Sequence, residues 1–191
     1  MERLLETEQG SQRTPAPPSS TPLLTVRGWL RDLAISVVIA ALIIVFLYQP
    51  VKVEGTSMMP GLTDQERIFI NKLVYKFEDI QRGDVVVFWY PLDASKSYIK
   101  RVVGLPGEVV RISSGRVYIN DQVLNEPYLI SDYLDQQSYP AVLVEPDHYY
   151  VLGDHRNSSN DSRTWGTVAR RYIYGKAVLV YWPVDKFKVL E

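Results

Sequence analysis

The sequence contains no cysteine among its 191 residues and only two histidines, His148 and His155. Without cysteine the chain has no disulfide, no thiol nucleophile and no thiolate metal site. Two imidazoles without a patterned carboxylate partner do not predict a metal site, and we expect no cofactor. An excess of charge is also missing, because 21 basic and 22 acidic residues give a net charge of −1. Nucleic acid is therefore not an expected partner.

The first part of the chain lacks any hydrophobic periodicity. It is rich in Glu, Gln, Ser, Thr and Pro, a composition typical of solvated and disordered segments. We predict a disordered cytoplasmic tail over residues 1–28. Because 46% of all residues are hydrophobic, the remainder of the chain is apolar enough for one folded domain of ordinary size.

Residues 33–51 form a run of 19 residues without a charged side chain. A helix of that length extends roughly 28 Å, close to the thickness of the hydrocarbon core of a bilayer. Trp29 precedes the run and Tyr48 lies near its end, where aromatic side chains suit the membrane interfaces. A buried core helix would need a polar stripe, and a cleaved signal peptide normally begins close to the first residue. The run predicts one uncleaved transmembrane helix over residues 29–51, and basic residues on both sides leave its orientation open.

From residue 52 onward the hydrophobic pattern changes to a period of two, in short segments separated by turn residues. We predict a mostly β domain over residues 52–191, with short helical pieces at 64–67 and 167–172. The more polar segment over about residues 113–145 is predicted to be a small inserted lobe. Strands are expected at residues 67–70, 84–89, 98–103, 109–112, 117–119, 148–152 and 176–182.

Residues 55–60 (GTSMMP) follow the uncharged run closely and contain the candidate nucleophile, Ser57. Gly55 allows the backbone to approach another chain closely, and the neighbours of Ser57 are small or unbranched at the β-carbon. Serine is a weak nucleophile until a base removes its proton. The function of the chain therefore depends on which residue is that base.

Two residues are candidates for the base. His155, preceded by an aspartate, could complete a triad with Ser57, although a histidine in a polar loop is more often only a loop residue. Lys100 lies in a predicted strand whose alternation places it on one face with Tyr98. A lysine with an ordinary pKa is neutral in roughly one molecule in 2,500 at pH 7, whereas burial can lower the pKa of a lysine by about 3 to 5. The pattern alone does not choose between these bases, and it also fits a surface lysine at a strand edge.

Four segments resemble, in the same order, the motif set of bacterial type I signal peptidases. They lie after the predicted membrane span, and the resemblance covers the chain from about residue 33 to residue 182. One such motif would be weakly specific, whereas four in order are very specific. The segments are residues 57–60 (SMMP), 82–88 (RGDVVVF), 100–108 (KRVVGLPGE) and 153–163 (GDHRNSSNDSR).

The resemblance implies a membrane-bound serine endopeptidase that removes signal peptides from exported preproteins. It implies a single-pass protein of the bacterial inner (plasma) membrane, with its catalytic domain on the extracytoplasmic side. By the matched motifs, Ser57 is the nucleophile, Lys100 is the general base, and the hydroxyl of Ser159 orients the lysine amine.

The resemblance also assigns residues that support the site. The backbone N–H of Ser57 is one oxyanion donor. In some members of the family a serine two positions before the nucleophile supplies the second donor, and that position is Gly55 here. Gly61, His155 and Asn157 depart from the usual residues of the family, beside the serine/lysine dyad rather than on it. The oxyanion and loop-support positions are Gly55, Asp154, Asp161 and Arg163.

An extended peptide could bind along the strand edge beside the proposed nucleophile, with shallow pockets for small side chains. Expected partners are preproteins and the lipid bilayer, and the expected oligomeric state is a monomer. Two other functions stay open: a related serine/lysine peptidase that cuts itself or a regulatory protein, and a tethered β-domain that binds an extracytoplasmic partner. The candidate pocket walls are Val53, Met58, Leu62, Tyr98 and Ile99.

Overall fold

The computed structural model describes residues 22–190, without the side chains of residues 22–25 and 43–47. The chain divides into two units, residues 1–42 and 43–191. Helix α1 (Pro22–Leu47) begins ahead of residue 29, where the span was predicted to start. Residues 1–21 of the predicted tail lie outside the described residues. Within the described residues, no helix combines the length and the apolar character needed to cross a membrane.

Helix α1 ends at Leu47, and the chain continues directly as strand β1 (Tyr48–Lys52). Pro50 has no N–H for a helical hydrogen bond and disfavours helical geometry in the residue before it. The helix therefore ends ahead of residue 51, the predicted end of the span.

The second unit is mostly β, as predicted. Its two α-helices, α2 (Val74–Phe77) and α3 (Ser162–Trp165), are single turns. The predicted alternating segments all form strands, because side chains that alternate between two faces suit a pleated sheet. After β1 the described strands are β2 (Arg67–Asn71), β3 (Val85–Tyr90), β4 (Asp93–Gly104), β5 (Val109–Ser113), β6 (Arg116–Ile119), β7 (Gln122–Val123), β8 (Tyr139–Leu143), β9 (His148–Leu152), β10 (Val168–Ala169), β11 (Ile173–Trp182) and β12 (Lys188–Val189).

The larger sheet has eight strands in the order β1-β2-β11-β3-β4-β9-β10, with β12 also paired to β11. Its neighbours are antiparallel, and the β3–β4 register places Val86 opposite Lys100. Strand β9 pairs with β4 only from Arg101 onward. Residues 93–100 of β4 therefore pair with β3 alone and present an open edge.

Buried side chains cover both faces of the larger sheet. One cluster lies under the segment that follows β1 and includes Val53, Met58 and Leu62. A second cluster packs on the opposite face around Phe88 and Val102. Strand β3 is buried on both faces, which explains its continuous apolar sequence.

The smaller sheet has the strand order β7-β6-β5-β8 and spans residues 109–143. It begins before residue 113, where the inserted lobe was predicted to start. The β5–β6 hairpin turns at Ser114 and Gly115, whose φ values of 47° and 76° are both positive, as a type I′ turn requires. Its apolar face shares a third core with Val103 and Tyr150 of the larger sheet.

Of the two short helical pieces predicted after the span, the one at residues 64–67 is wrong, and the one at residues 167–172 is correct only over its last three residues. Residues 64–66 form a turn, and Arg67 already belongs to β2. Residues 168–169 form β10, which pairs with β9, and only residues 170–172 form one turn of 3-10 helix. Both errors arise because pairing with distant strands decided the conformation of these short polar segments.

Gly104 at the end of β4 offers a direct test of this packing. A β-carbon there would overlap Val110 and lie 3.0 Å from the β-carbon of Tyr150, in the core between the two sheets. We predict that Gly104→Ala lowers the free energy of unfolding by about 1–3 kcal/mol through overpacking.

Urea unfolding of the full chain, followed by tryptophan fluorescence, measures this effect. Ala141→Val is the control, because it adds methyl groups at an exposed position of β8 in the same small sheet. An unchanged unfolding midpoint for Gly104→Ala would contradict the close packing of the two sheets.

Candidate active site

Ser57 lies in a tight turn just beyond the end of β1. The pairing between β1 and β2 continues past both strands, because the N–H of Val53 donates to the carbonyl of Glu66 at 2.8 Å. Gly55 then turns the chain with a φ of 93°, a conformation that strains other residues. Its N–H donates to the carboxylate of Asp64 at 2.8 Å. These contacts fix the turn that presents the half-buried Ser57.

Lys100 on β4 brings its amine to the Ser57 hydroxyl. The distance from Nζ to Oγ is 2.7 Å, although the two residues are 43 positions apart in sequence. The amine also donates to the carbonyl of Ile99 at 3.0 Å, and the ring of Tyr98 lies 5.4 Å away. Lys100 is only 4% exposed. The sheet thus places a buried amine in hydrogen-bond contact with the candidate nucleophile.

Burial lowers the pKa of Lys100 from its ordinary value of 10.5 to about 8. The cause is the loss of hydration, which disfavours the charged ammonium. The charges of Asp161 and Asp154 oppose this change, and the charge of Arg163 adds to it. Within the described residues no carboxylate forms a salt bridge with the amine. A substantial fraction of the amine is therefore neutral near neutral pH and able to accept a proton.

His155 contacts the same turn but not the Ser57 hydroxyl. Its Nδ1 lies 3.0 Å from the backbone carbonyl of Thr56, and its own backbone N–H donates to the carbonyl of Ser57 at 3.1 Å. A ring nitrogen that faces a carbonyl oxygen must carry the proton and donate it. The geometry favours Lys100 over a triad as the base. In the part of the chain that the structure describes, no cluster of His, Asp and Glu is placed to hold a metal ion.

The polar loop over residues 153–163 is held by two buried ion pairs. Arg101 donates to both oxygens of Asp154, at 2.9 and 2.8 Å. Arg163 donates to both oxygens of Asp161, at 2.8 Å each, and Asp161 also accepts the N–H of Gly153. The predicted loop-support residues thus share one rigid region. Arg101 was not predicted as a site residue. Its position next to Lys100, with its side chain on the opposite face of the same strand, could have indicated this role.

Ser159 lies in this loop, close to the Ser57 turn. Its hydroxyl is buried and has no hydrogen-bond partner among the described residues, so its predicted bond to Lys100 is not present in this structure. A β-carbon at Gly153 would overlap both the Ser159 hydroxyl and the Ser57 carbonyl oxygen. Glycine at position 153 therefore allows the loop to pack directly against the Ser57 turn.

A groove of about 520 Å³ opens beside the candidate dyad and reaches both Ser57 and Lys100. Four of the five predicted wall residues line it. Leu62 does not, because it is 1% exposed and lies in the core below. Val51 was missed, although its alternation with Val53 placed both on one face of a strand. The predicted residues that line the groove are Val53, Met58, Tyr98 and Ile99.

One backbone donor is available where an oxyanion would form. The N–H of Ser57 has no hydrogen-bond acceptor among residues 22–190. The N–H of Gly55 is already donated to Asp64. The turn therefore offers the Ser57 N–H for a developing negative charge, and not that of Gly55.

Comparisons with known proteins show similarity to one family along most of the chain. The family model described as "Signal peptidase, peptidase S26" matches residues 26–182. The "Probable signal peptidase I-2" of Synechocystis sp. is 36% identical over 189 residues, covering 94% of this chain and 82% of that protein. The "Signal peptidase I" of Leptolyngbya laminosa is 39% identical and covers 89% and 85%. A crystal structure of a signal peptidase I from Enterococcus faecalis is similar at 32% identity, with a TM-score of 0.47 over 52% of this chain and 97% of that one.

The lowered pKa of Lys100 predicts the pH dependence of any reaction that uses its neutral amine. The base form is lost as pH falls through the folded-state pKa, so the rate should rise with pH and reach half its maximum near pH 8. The measurement is the initial rate of peptide cleavage under subsaturating substrate between pH 5 and pH 11. A midpoint near 10.5, the ordinary value for lysine, would contradict a desolvated amine.

Proposed function

Because the chain belongs to the signal peptidase family, peptidase S26, it is a serine peptidase that cleaves signal peptides from preproteins, and we propose that Ser57 and Lys100 perform the cleavage. The observation that carries this proposal is the 2.7 Å contact between a serine hydroxyl and a buried lysine amine at the floor of a groove. A serine needs an adjacent base to become a nucleophile, and this amine is neutral often enough to act as one.

In the proposed first step, the Ser57 oxygen attacks the carbonyl carbon of the scissile peptide bond while its proton moves to Nζ of Lys100. The oxyanion that forms accepts a hydrogen bond from the N–H of Ser57. The C–N bond then breaks, and the Lys100 ammonium returns the proton to the departing amine. Water, deprotonated by the same lysine, then attacks the carbonyl carbon of the acyl-serine ester. The bond between that carbon and the Ser57 oxygen breaks, the new carboxyl group leaves, and Lys100 returns the proton to the Ser57 oxygen.

The proposed role of Ser159 is to orient the Lys100 amine during these steps. Its buried hydroxyl has no partner among the described residues, and an unpaired buried hydroxyl is unfavourable. A hydrogen bond to the amine, once the amine turns between Ser57 and the leaving group, would satisfy that hydroxyl. Asp154, Asp161 and Arg163 support the loop that carries it, and Gly55 supports the turn of the nucleophile.

We propose that the preprotein binds in extended form along the open edge of β4. Residues 93–100 of that strand pair only with β3, so their other edge is available for backbone hydrogen bonds. Tyr98 and Ile99 on that edge line the groove together with Val53 and Met58. The shallow apolar walls suit small side chains next to the bond that is cut.

The cleavage of a purified preprotein by wild type and three variants tests this function. Ser57→Ala should abolish cleavage, and Lys100→Ala should reduce kcat by roughly 10²- to 10⁴-fold, as expected for loss of a general base. His155→Ala should cost less than about tenfold, because it leaves in place the contact between Ser57 and Lys100 and the bond from the backbone N–H of residue 155 to the Ser57 carbonyl.

Each alternative has its own signature in this experiment. Loss of cleavage in Ser57→Ala and His155→Ala, but not in Lys100→Ala, would support a triad. Cleavage by Ser57→Ala would refute every serine mechanism, and an inactive wild type would favour a tethered binding domain. Cleavage of the chain itself, with no cleavage of the preprotein, would indicate a self-processing peptidase.

We further propose that helix α1, which contains residues 33–47 of the uncharged run, anchors a monomer in the bacterial plasma membrane, with the β domain from β1 onward on the extracytoplasmic side and residues 1–28 in the cytoplasm. The support is the length of the run, which continues past Leu42 into residues whose side chains lie outside the described part. An anchored enzyme would meet preproteins whose own signal peptides lie in the same bilayer.

Two arginines in the middle of this run should release the protein from membranes. The double variant Val37→Arg with Ala41→Arg adds roughly 2.5–3.5 kcal/mol per charge to the cost of insertion. Alkaline carbonate should then extract this variant, and not wild type or the control Val37→Leu with Ala41→Leu. Extraction of wild type would refute the anchor, and resistance to protease added outside spheroplasts would refute the orientation.

A further inference from the structure

The segment between β7 and β8 contacts the loop of residues 153–163 along its outer side. We call residues 126–135 of this segment the strap. The strap does not line the groove beside Ser57 and Lys100. It nevertheless carries two acidic residues, Glu126 and Asp135, that pair with arginines of the loop. The strap therefore reaches the catalytic region through that loop and through the ring of Tyr128, which lies 4.1 Å from the guanidinium of Arg101 on β4.

The first pair joins Glu126 to Arg156. Both side chains are buried, with 7% and 3% of their surfaces exposed. The guanidinium donates to both carboxylate oxygens of Glu126 and to the backbone carbonyl of Gly153 at 3.0 Å. Tyr128 of the strap donates its hydroxyl to Glu126 at 2.6 Å. Glu126 is the acidic partner that balances Arg156 inside the protein.

The second pair joins Asp135 to Arg163. The distance is 2.9 Å, and the two side chains are 13% and 5% exposed. Because Arg163 also binds both oxygens of Asp161, its guanidinium links the strap to the far end of the loop. Glu126 and Asp135 of the strap thus hold the loop near both of its ends.

Two further contacts lie between these pairs. The side-chain amide of Asn157 donates to the carbonyl of Asp132 at 3.2 Å, and the rings of Tyr133 and His155 meet edge to face at 4.2 Å. The same His155 donates its backbone N–H to the carbonyl of Ser57. The loop is therefore fixed between the strap on one side and the Ser57 turn on the other.

We infer that Glu126 and Asp135 are positioning residues, which hold the loop against the Ser57 turn through Arg156 and Arg163. The inference rests on the proposed roles of Ser57 and Lys100. Without Glu126, Arg156 becomes an unpaired buried charge and moves toward water. Without Asp135, Arg163 keeps its pair with Asp161 but loses its ion pair with the strap. In either case the backbone of the loop moves, and the packing of the loop behind Ser57 is lost.

The expected effect falls on turnover rather than on substrate binding. The strap does not touch the groove, so KM for a preprotein should change little. A displacement of catalytic groups by about 1 Å can reduce a rate by as much as 100-fold. We expect Glu126→Gln and Asp135→Asn each to lower kcat per active site by about tenfold or more.

The experiment measures kcat and KM on full-length protein in detergent, with a purified preprotein as substrate. A covalent serine-reactive inhibitor titrates the active sites, so that misfolded protein does not count as slow enzyme. Asp121→Asn is the matched control, because it removes an exposed ion pair with Arg111 in the same small sheet, away from the loop. The control should retain the kcat and KM of wild type.

A double variant tests whether Glu126 acts through Arg156. If it does, Glu126→Gln combined with Arg156→Gln should lose no more turnover than Arg156→Gln alone. Multiplied losses in the double variant would contradict that coupling.

Wild-type kcat per active site in both Glu126→Gln and Asp135→Asn would overturn the inference, even if their unfolding midpoints fall. If Glu126→Gln does not fold, Asp135→Asn alone decides the question. Failure of the proposed function is a separate result, namely cleavage by Ser57→Ala. Slow turnover in the strap variants beside an inactive Ser57→Ala supports both proposals.

Discussion

The hydrogen bond between the Lys100 amine and the Ser57 hydroxyl is the contact on which the rest of the site depends. It has chemical value only because the amine is removed from water. An exposed lysine is neutral in roughly one molecule in 2,500 at pH 7, whereas a pKa of about 8 makes about one in ten neutral. The sheet supplies this burial by pairing Lys100 with Val86, a fully buried residue of the neighbouring strand β3.

The buried charges around the Lys100 amine must be paired in a way that keeps the pKa of that amine low. The charges of Asp161 and Asp154 act to raise the pKa of Lys100 but do not outweigh burial, and each of these carboxylates is paired with its own arginine. Such buried pairs contribute little net stability, yet breaking one is costly because a single charge remains. Their arrangement here explains how a loop without regular structure can be rigid enough to support a nucleophile.

The sequence predicted the parts of the fold that local alternation determines. Strands such as β3 and β9 were found because their side chains alternate or form apolar runs between turns. The conformations of residues 64–66 and 168–169 were predicted wrongly, since they depend on pairing with distant strands. In the site, the motifs correctly predicted that Ser57 and Lys100 lie together. The prediction that Leu62 lines the groove was wrong, because its side chain is buried below the groove. Glu126 gave no local signal, because only the folded chain brings it to Arg156.

The most direct test of the account is the titration of the Lys100 amine itself. Full-length protein labelled with ¹³C at the ε-carbon of lysine, compared with Lys100→Ala to assign the signal, reports that protonation by NMR without any substrate. The account predicts one lysine with a midpoint near pH 8, well separated from the other lysines. A Lys100 signal that titrates with them near 10.5 would show that the amine is hydrated and would contradict its role as the base.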